Sequence, residues 1–295
     1  MTIALDVALP AAAALWGAAA GALLPRAAYR FSAPAGEQWH NECPAGHRIT
    51  GWLGPARCTP CTRATETTNT RPGTARPPDA APGQAAREEP ADAAPGQAVG
   101  EEPADAGVPV GSADRYGARG ASLGLATALV CAALALATGT RPELGVWLLL
   151  APVCVLLAVV DFRVQRLPDP LTLPLAAAAL ALLGVTALLP EHAGHWLTSL
   201  YAALALGAGY LVLFLINPGG MGFGDVKLAL GTGAVLGWYG WPTVLLGTFT
   251  GFVLGALYGG ALVVVRRAGR KTAIAFGPFL IAGAFAGLLI GAYTA

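Results

Sequence analysis

Charged residues are scarce in this sequence. They make up 12% of the 295 residues, whereas apolar residues make up 55% and the mean hydropathy is +0.57. A soluble domain usually carries about 25% charged residues, so the composition excludes an ordinary soluble globular protein and indicates a membrane protein. We expect the lipid bilayer to be a partner and nucleic acid not to be one.

Acidic residues are nearly absent from the C-terminal half. Between residues 120 and 295 there are only Glu143, Asp161, Asp169, Glu191 and Asp225. A carboxylate at a membrane boundary is costly to desolvate, so each of these acidic residues is by default a candidate functional residue. A single Asp could instead cap a helix or sit in interfacial water. Two of them, each where an apolar segment meets a short loop, favour shared acid–base chemistry.

Hydropathy predicts eight membrane spans, because about 20 apolar residues cross the hydrocarbon core as a helix. The sixth span is short and rich in glycine. The first lacks the basic start of a secretory signal and carries Asp6 near its beginning, so we interpret it as a retained helix. The predicted spans are 3–25, 120–138, 144–160, 170–189, 195–216, 226–239, 241–265 and 273–293.

Lys and Arg are confined almost entirely to alternate loops, which predicts the orientation. The remaining loops contain a single cation, Arg141. We therefore expect a multi-pass protein of the bacterial cytoplasmic membrane, with both termini outside and the basic loops inside. The basic-loop residues are Arg26, Arg30, Arg115, Arg119, Arg163, Arg166, Lys227, Arg266, Arg267, Arg270 and Lys271.

The large polar segment divides the chain into four predicted parts. After a first transmembrane helix at 1–25, residues 26–63 contain a cysteine cluster and form a small cytoplasmic module. Residues 64–119 are rich in Pro, Ala and Glu and contain a 13-residue duplication, 79–91 followed by 92–104. Such composition cannot bury enough apolar surface to fold, so we expect a disordered linker. Residues 120–295 form the membrane domain.

Asp161 and Asp225 could meet at one membrane face, because one closes the third span and the other opens the sixth. Two adjacent carboxyl groups share a proton, so one can act as base while the other acts as acid. The segment 217–225 is rich in Gly and Pro and cannot continue a helix. We expect Gly222 and Gly224 to adopt positive φ and to let a substrate backbone approach Asp225.

These motifs resemble those of the prepilin peptidases, or type IV leader peptidases, which are membrane aspartic proteases with a Gly-x-Gly-Asp motif. Asp161 is followed by Leu-Pro-Asp-Pro-Leu-Thr-Leu-Pro at 167–174, Gly-x-Gly-Asp-x-Lys stands at 222–227, and Phe-Gly-Pro-Phe at 276–279. The resemblance implies an all-α polytopic membrane fold and cleavage of prepilin or pseudopilin leader peptides at the cytoplasmic face. It implies a catalytic pair, Asp161 and Asp225, with supporting Asp169, Gly222, Gly224 and Lys227.

The resemblance also implies a metal module, since the family carries two Cys-x-x-Cys pairs that bind zinc. Here Cys58 and Cys61 form the second pair, but the first is replaced by Cys43 and His47. Either His47 supplies the fourth ligand of a structural zinc site or the site is lost. Many members also N-methylate the new N-terminus, so S-adenosylmethionine is a cofactor only if that activity is retained. Proteolysis itself is expected to need no cofactor.

Two other classes of function compete with a peptidase. A proton-coupled transporter could use the two Asp residues as a relay, but it should show repeated halves and helices broken near the midplane, which this sequence lacks. A non-enzymatic assembly scaffold would not need the intact Asp pair. The peptidase is the function that the sequence favours.

Overall fold

The computed structural model describes residues 2–34, 36–63, 116–117, 120–265 and 275–295. Within these residues the protein is almost entirely helical, and an isolated β-bridge joins Glu42 to Arg48. Apart from residues 116–117, the predicted linker, with its duplication, lies outside the described residues, as do the basic residues at 266–271. The helices are α1 (Thr2–Ala22), α2 (Pro25–Phe31), α3 (Gly120–Thr138), α4 (Glu143–Val164), α5 (Asp169–Thr186), α6 (Trp196–Ile216), α7 (Phe223–Gly237), α8 (Trp241–Val264) and α9 (Gly277–Thr294).

The predicted all-α membrane fold is confirmed, and the count of eight spans is approximate. Six of the described helices, α3 to α6, α8 and α9, are long and apolar enough to cross a membrane. A seventh span results if α1 and α2, which meet at a bend of 47°, are counted together. The predicted sixth span corresponds to α7, which has only 15 residues.

Helix α7 is short because the Gly- and Pro-rich segment before it is not helical and a turn at Gly240 follows it. It is nonetheless central, with buried residues on all sides. Its glycines allow close packing: a Cβ at Gly233 would lie 2.6 Å from the carbonyl oxygen of Ala202 on α6. Small residues at helix interfaces permit such close backbone approach in membranes. The first turn of α7 is thereby held inside the bundle.

The polar segment at 26–63 packs against the membrane helices. Its first helix, α2, buries Ala27, Ala28 and Phe31 against Val160 near the C-terminal end of α4. Arg26 donates a hydrogen bond to the carbonyl oxygen of Thr50 at 2.8 Å. We call residues 26–63 the Cys/His module. It lies at the same end of the bundle as the C-terminus of α4.

Candidate active site

A cavity of about 1040 Å³ opens where α4 ends and where α7 and α9 begin. The side chains of both Asp161 and Asp225 line it. The remaining wall is formed by residues 217–224, the loop 165–167, Ala275, Phe276 and Phe279 around the start of α9, and Phe252, Gly255 and Ala256 on α8. The structure therefore brings together the two carboxyl groups that sequence analysis selected as the candidate pair.

Asp161 lies in the last turn of α4, where the helix is closed by a left-handed residue. Gln165 has φ of 51° and donates its backbone N–H to the carbonyl oxygen of Asp161 at 2.8 Å. The Asp161 side chain is only 4% exposed, and its Oδ2 has no hydrogen-bond partner among the described residues. A buried polar atom without a partner is costly, so the fold holds this carboxyl group in place at an energetic cost.

Gly277 faces the Asp161 carboxyl group directly. A Cβ at this glycine would lie 2.7 Å from Asp161 Oδ2, closer than carbon and oxygen normally approach. Gly277 belongs to the Phe-Gly-Pro-Phe motif, and Pro278 follows it in the first turn of α9, where proline suits a helix start. Sequence analysis selected this motif by resemblance but could not show that its glycine makes room for the carboxyl group.

Asp225 lies in the first turn of α7 and is held by the residue before that helix. Its Oδ2 accepts a hydrogen bond from the Gly222 N–H at 3.2 Å, and its own N–H donates to the Gly222 carbonyl oxygen at 3.0 Å. The side-chain bond is one half of a capping box. Asp225 is 5% exposed. This arrangement fixes the carboxyl group where it borders the cavity.

The prediction of positive φ at Gly222 and Gly224 is wrong. Gly222 has φ of −76° and precedes the helix in an extended conformation, while Gly224 already lies within α7, and neither has positive φ. Gly224 is required for a different reason: a Cβ there would lie 2.8 Å from the Cβ of Leu167. This glycine lets the loop after α4 pack against the start of α7.

Asp169 and Lys227 contact each other. Lys227 Nζ lies 2.6 Å from Asp169 Oδ1, and the Asp169 side chain is 62% exposed. Neither residue lines the cavity. Their ion pair connects the start of α5 to the first turn of α7, and so joins the two motifs at the surface.

The two buried carboxyl groups can interact electrostatically. Asp161 and Asp225 share one cavity and are close enough for a coulombic interaction. Two neighbouring carboxylates cannot both ionise easily, so such a pair can share a proton. One ionised and one protonated carboxyl group form the acid–base combination that activates water for attack on a carbonyl carbon.

A second cluster of chemically active side chains lies in the Cys/His module. The candidate ligand atoms of Cys43, His47, Cys58 and Cys61 all lie within 4.8 Å of one another. His47 Nδ1 is 3.6 Å from Cys43 Sγ and 3.3 Å from Cys61 Sγ. Tetrahedral zinc, with Zn–S of about 2.3 Å and Zn–N of about 2.0 Å, places its ligands roughly 3.5–3.8 Å apart. The four residues thus fit a Cys₃His zinc site.

The thiols of this cluster differ in acidity. Burial raises the pKa of Cys61 to about 12, and hydrogen bonding to Cys58 adds to the effect. Burial acts in the same direction on Cys43, but backbone N–H groups of His47 and Ala45 stabilise its thiolate, and its pKa falls to about 7. A bound cation would favour thiolates at all three cysteines.

Comparison with known proteins identifies the family. A model of the type IV leader peptidase family matches residues 148–260. A prepilin leader peptidase/N-methyltransferase of Escherichia coli (strain K12) is 35% identical over 174 residues, which cover 54% of this chain and 71% of that protein. The chain belongs to the type IV leader peptidase family.

Other members of this family match over a smaller share of their length. A prepilin leader peptidase/N-methyltransferase of Aeromonas salmonicida (strain A449) is 36% identical over 152 residues, covering 49% of this chain and 48% of that protein. One of Aeromonas hydrophila is 35% identical over 175 residues, or 57% of each chain. The chain thus spans about half the length of these relatives. No solved structure matches it.

The family match covers the carboxyl pair but not every feature of the site. Both Asp161 and Asp225 lie within the matched residues 148–260, whereas Gly277 and the cysteine cluster lie outside them. Family membership and the apolar helices together identify a multi-pass protein of the bacterial inner membrane.

Proposed function

We propose that this protein is a membrane aspartic endopeptidase that removes leader peptides from prepilin-like substrates, with Asp161 and Asp225 as its catalytic residues. The observation that carries the proposal is the location of both carboxyl groups, each at most 5% exposed, in the wall of one open cavity. The relatives named as prepilin leader peptidases support the choice of substrate. Prepilins or pseudopilins are accordingly the proposed partners.

The pair supplies both proton transfers that peptide hydrolysis requires. The ionised carboxylate takes a proton from a water molecule as its oxygen attacks the scissile carbonyl carbon, and the protonated partner donates its proton to the carbonyl oxygen. The tetrahedral intermediate then collapses: the C–N bond breaks, the nitrogen leaves with the proton taken from water, and one hydroxyl group of the intermediate returns its proton to the other carboxylate as the new carbonyl forms. Both carboxyl groups line the same cavity, which is where this water would be held.

The cavity suits an extended peptide at the membrane boundary. Part of its wall is the backbone of Gly219, Gly220 and Gly222, where the absence of side chains leaves room for a substrate strand. The basic residues Arg163 and Arg166 lie at this end of α4, which by the distribution of positive charge is the cytoplasmic end. Cleavage then occurs at the cytoplasmic face, and both termini lie outside.

Asp169 and Lys227 act as supporting residues in this scheme. Their ion pair joins α5 to α7 and so helps to align the loop after Asp161 with the helix that carries Asp225. Gly224 supports the same junction by accommodating Leu167, and Gly222 supports it by donating its N–H to Asp225.

We assign the Cys/His module a structural zinc held by Cys43, His47, Cys58 and Cys61. Such a site stabilises a module that is too small to form its own hydrophobic core. The relatives' names include N-methyltransferase activity, for which S-adenosylmethionine would be the methyl donor. We extend only the peptidase activity to this chain, because the carboxyl pair supports it directly.

The decisive experiment replaces each carboxyl group separately. Asp161→Asn and Asp225→Asn should each abolish cleavage of a prepilin in isolated membranes, since each role needs one carboxyl group. Asp169→Asn is the matched control, because it removes an exposed carboxylate from the same motif and should retain more activity. Full cleavage by either of the first two variants, with normal membrane insertion, would refute the assignment. No observation favours a transporter that uses the pair as a proton relay. In that case the wild-type protein would show no cleavage, and the two variants would lose proton flux.

A further inference from the structure

The Cys/His module contacts the catalytic loop through one arginine. Arg166 lies in the loop between α4 and α5 and lines the catalytic cavity. Its side chain nevertheless interacts with the module: one guanidinium N–H donates to the Pro34 carbonyl oxygen at 3.0 Å, and the guanidinium carbon lies 4.6 Å from the ring centre of Trp39. Hydrogen bonding and a cation–π contact therefore connect the segment 32–41 to the loop that follows Asp161.

The next residue of the loop contacts both motif helices. Leu167 is 7% exposed. Its Cβ lies 2.8 Å from where a Cβ of Gly224 would be, and its Cδ1 lies 3.3 Å from where a Cβ of Gly277 would be. Leu167 thus packs between the first turn of α7, which carries Asp225, and the start of α9, which borders Asp161. Movement of this side chain would change the spacing of both carboxyl groups.

The module holds Trp39 firmly enough to serve as an anchor. The Trp39 ring packs edge-on against Phe31 of α2 at 5.2 Å. The next residue, His40, donates its N–H to the carbonyl oxygen of Arg30 at 3.1 Å and stacks on Tyr29 at 4.9 Å. Helix α2 itself is packed against α4. Trp39 is therefore fixed relative to the helix on which Asp161 lies.

We propose that Pro34 and Trp39 of the module position the catalytic carboxyl groups by holding Arg166, and hence Leu167, against the starts of α7 and α9. Arg166 and Trp39 are then positioning residues of the peptidase, although Trp39 lies outside the membrane domain. This inference rests on the proposed function. In this role the Cys/His module contributes to catalysis by positioning the carboxyl groups, in addition to binding a metal ion.

The test is a double-mutant cycle on the full chain with Trp39→Ala and Arg166→Ala. Each change should lower kcat for prepilin cleavage about three- to ten-fold, the size of one cation–π contact converted to a rate, and leave KM unchanged. The double variant should be no slower than Arg166→Ala alone. Arg166→Lys, which keeps the cation, should recover part of the loss.

Trp52→Ala provides the matched control. Trp52 lies in the same module and also carries a cation–π contact, with Arg30 at 3.8 Å, but its ring packs on Phe31 and not on the catalytic loop. Its replacement should lower kcat much less than Trp39→Ala does, because the contacts of Arg166 with Trp39 and Pro34 remain. Equal losses for Trp39→Ala and Trp52→Ala would mean that the module acts only through its general stability, and would overturn the inference. Additive losses, or a change confined to KM, would show that Arg166 acts on the substrate directly and would also overturn it.

Hydrogen exchange gives a readout that does not depend on cleavage. Trp39→Ala should accelerate exchange of the backbone amides at 165–167, including the Gln165 N–H that bonds to the Asp161 carbonyl oxygen, and Trp52→Ala should not. If the wild-type protein cleaves no prepilin, the proposed function fails while this measurement still decides the coupling. Unchanged exchange at 165–167 in a correctly inserted Trp39→Ala variant would refute the coupling itself.

Discussion

Gly277→Ala should strongly impair the peptidase while the protein still folds. The added methyl carbon would lie 2.7 Å from Asp161 Oδ2 and 3.3 Å from both Asp161 Cγ and Leu167 Cδ1. A carbon and an oxygen atom pack at roughly 3.5 Å, so the carboxyl group must move by several tenths of an ångström or rotate. Misplacement of a catalytic group by about 1 Å can cost on the order of 100-fold in rate, so we expect kcat to fall about 10- to 100-fold.

The same substitution should weaken the fold only modestly. Gly277 lies at the start of α9 and does not have positive φ, so alanine fits its backbone. Overpacking of a buried site costs about 1–3 kcal/mol. The variant should therefore still fold and insert, so that its loss of activity reports the steric effect on the carboxyl group.

The assay compares initial prepilin cleavage rates and thermal unfolding of wild type, Gly277→Ala and Gly145→Ala in the same detergent. Gly145 is a suitable control because it lies in α4 with Asp161, and an added Cβ would meet nothing within 4 Å. Gly145→Ala should cleave at the wild-type rate. Wild-type activity in Gly277→Ala would show that the Asp161 carboxyl group need not occupy this position, and would refute the steric reasoning.

Three further predictions follow from other parts of the chain. Deleting residues 79–104 should leave cleavage nearly unchanged, because each doubling of a flexible loop costs only about 0.6 kcal/mol; inactivation of a stably inserted deletion variant would contradict the interpretation as a linker. Purified protein should contain about one zinc ion per chain, measured by elemental analysis, and Cys58→Ser/Cys61→Ser should contain none; equal metal content would refute the site. Lys227→Met should lower cleavage no more than about five-fold, because an exposed ion pair contributes about 0–1 kcal/mol, and adding Asp169→Asn should cost little more; a complete loss would mean that Lys227 acts in catalysis.

The membrane fold could be predicted from the sequence because its causes are local. Each of the eight apolar stretches is occupied by a helix, and the ends of several follow the residues expected: Pro170 lies in the first turn of α5, and Gly222 precedes α7. Backbone groups in lipid must be satisfied within the segment itself, so length and hydropathy determine where helices form. The short length of α7 was harder to predict from the sequence. This helix is surrounded by other helices, so it does not need the length of a lipid-exposed span.

The candidate site was only partly predictable. The motifs selected Asp161 and Asp225, and the resemblance to the family's two cysteine pairs selected Cys43, His47, Cys58 and Cys61, because such chemistry needs particular residue types. Gly277 beside Asp161, Leu167 against Gly224, and Trp39 against Arg166 have no signature in composition or periodicity. These contacts join residues far apart in the chain.

What the sequence by itself determined was therefore the membrane class, the approximate spans and the residue types that carry the chemistry, all of which depend on hydropathy or on short motifs. The tertiary structure alone decided that the two carboxyl groups share a cavity, why Gly224 and Gly277 must lack a side chain, and how the Cys/His module reaches the catalytic loop. The physical reason is that hydropathy acts on each segment separately, whereas the position of a carboxyl group within the bundle depends on close packing between helices.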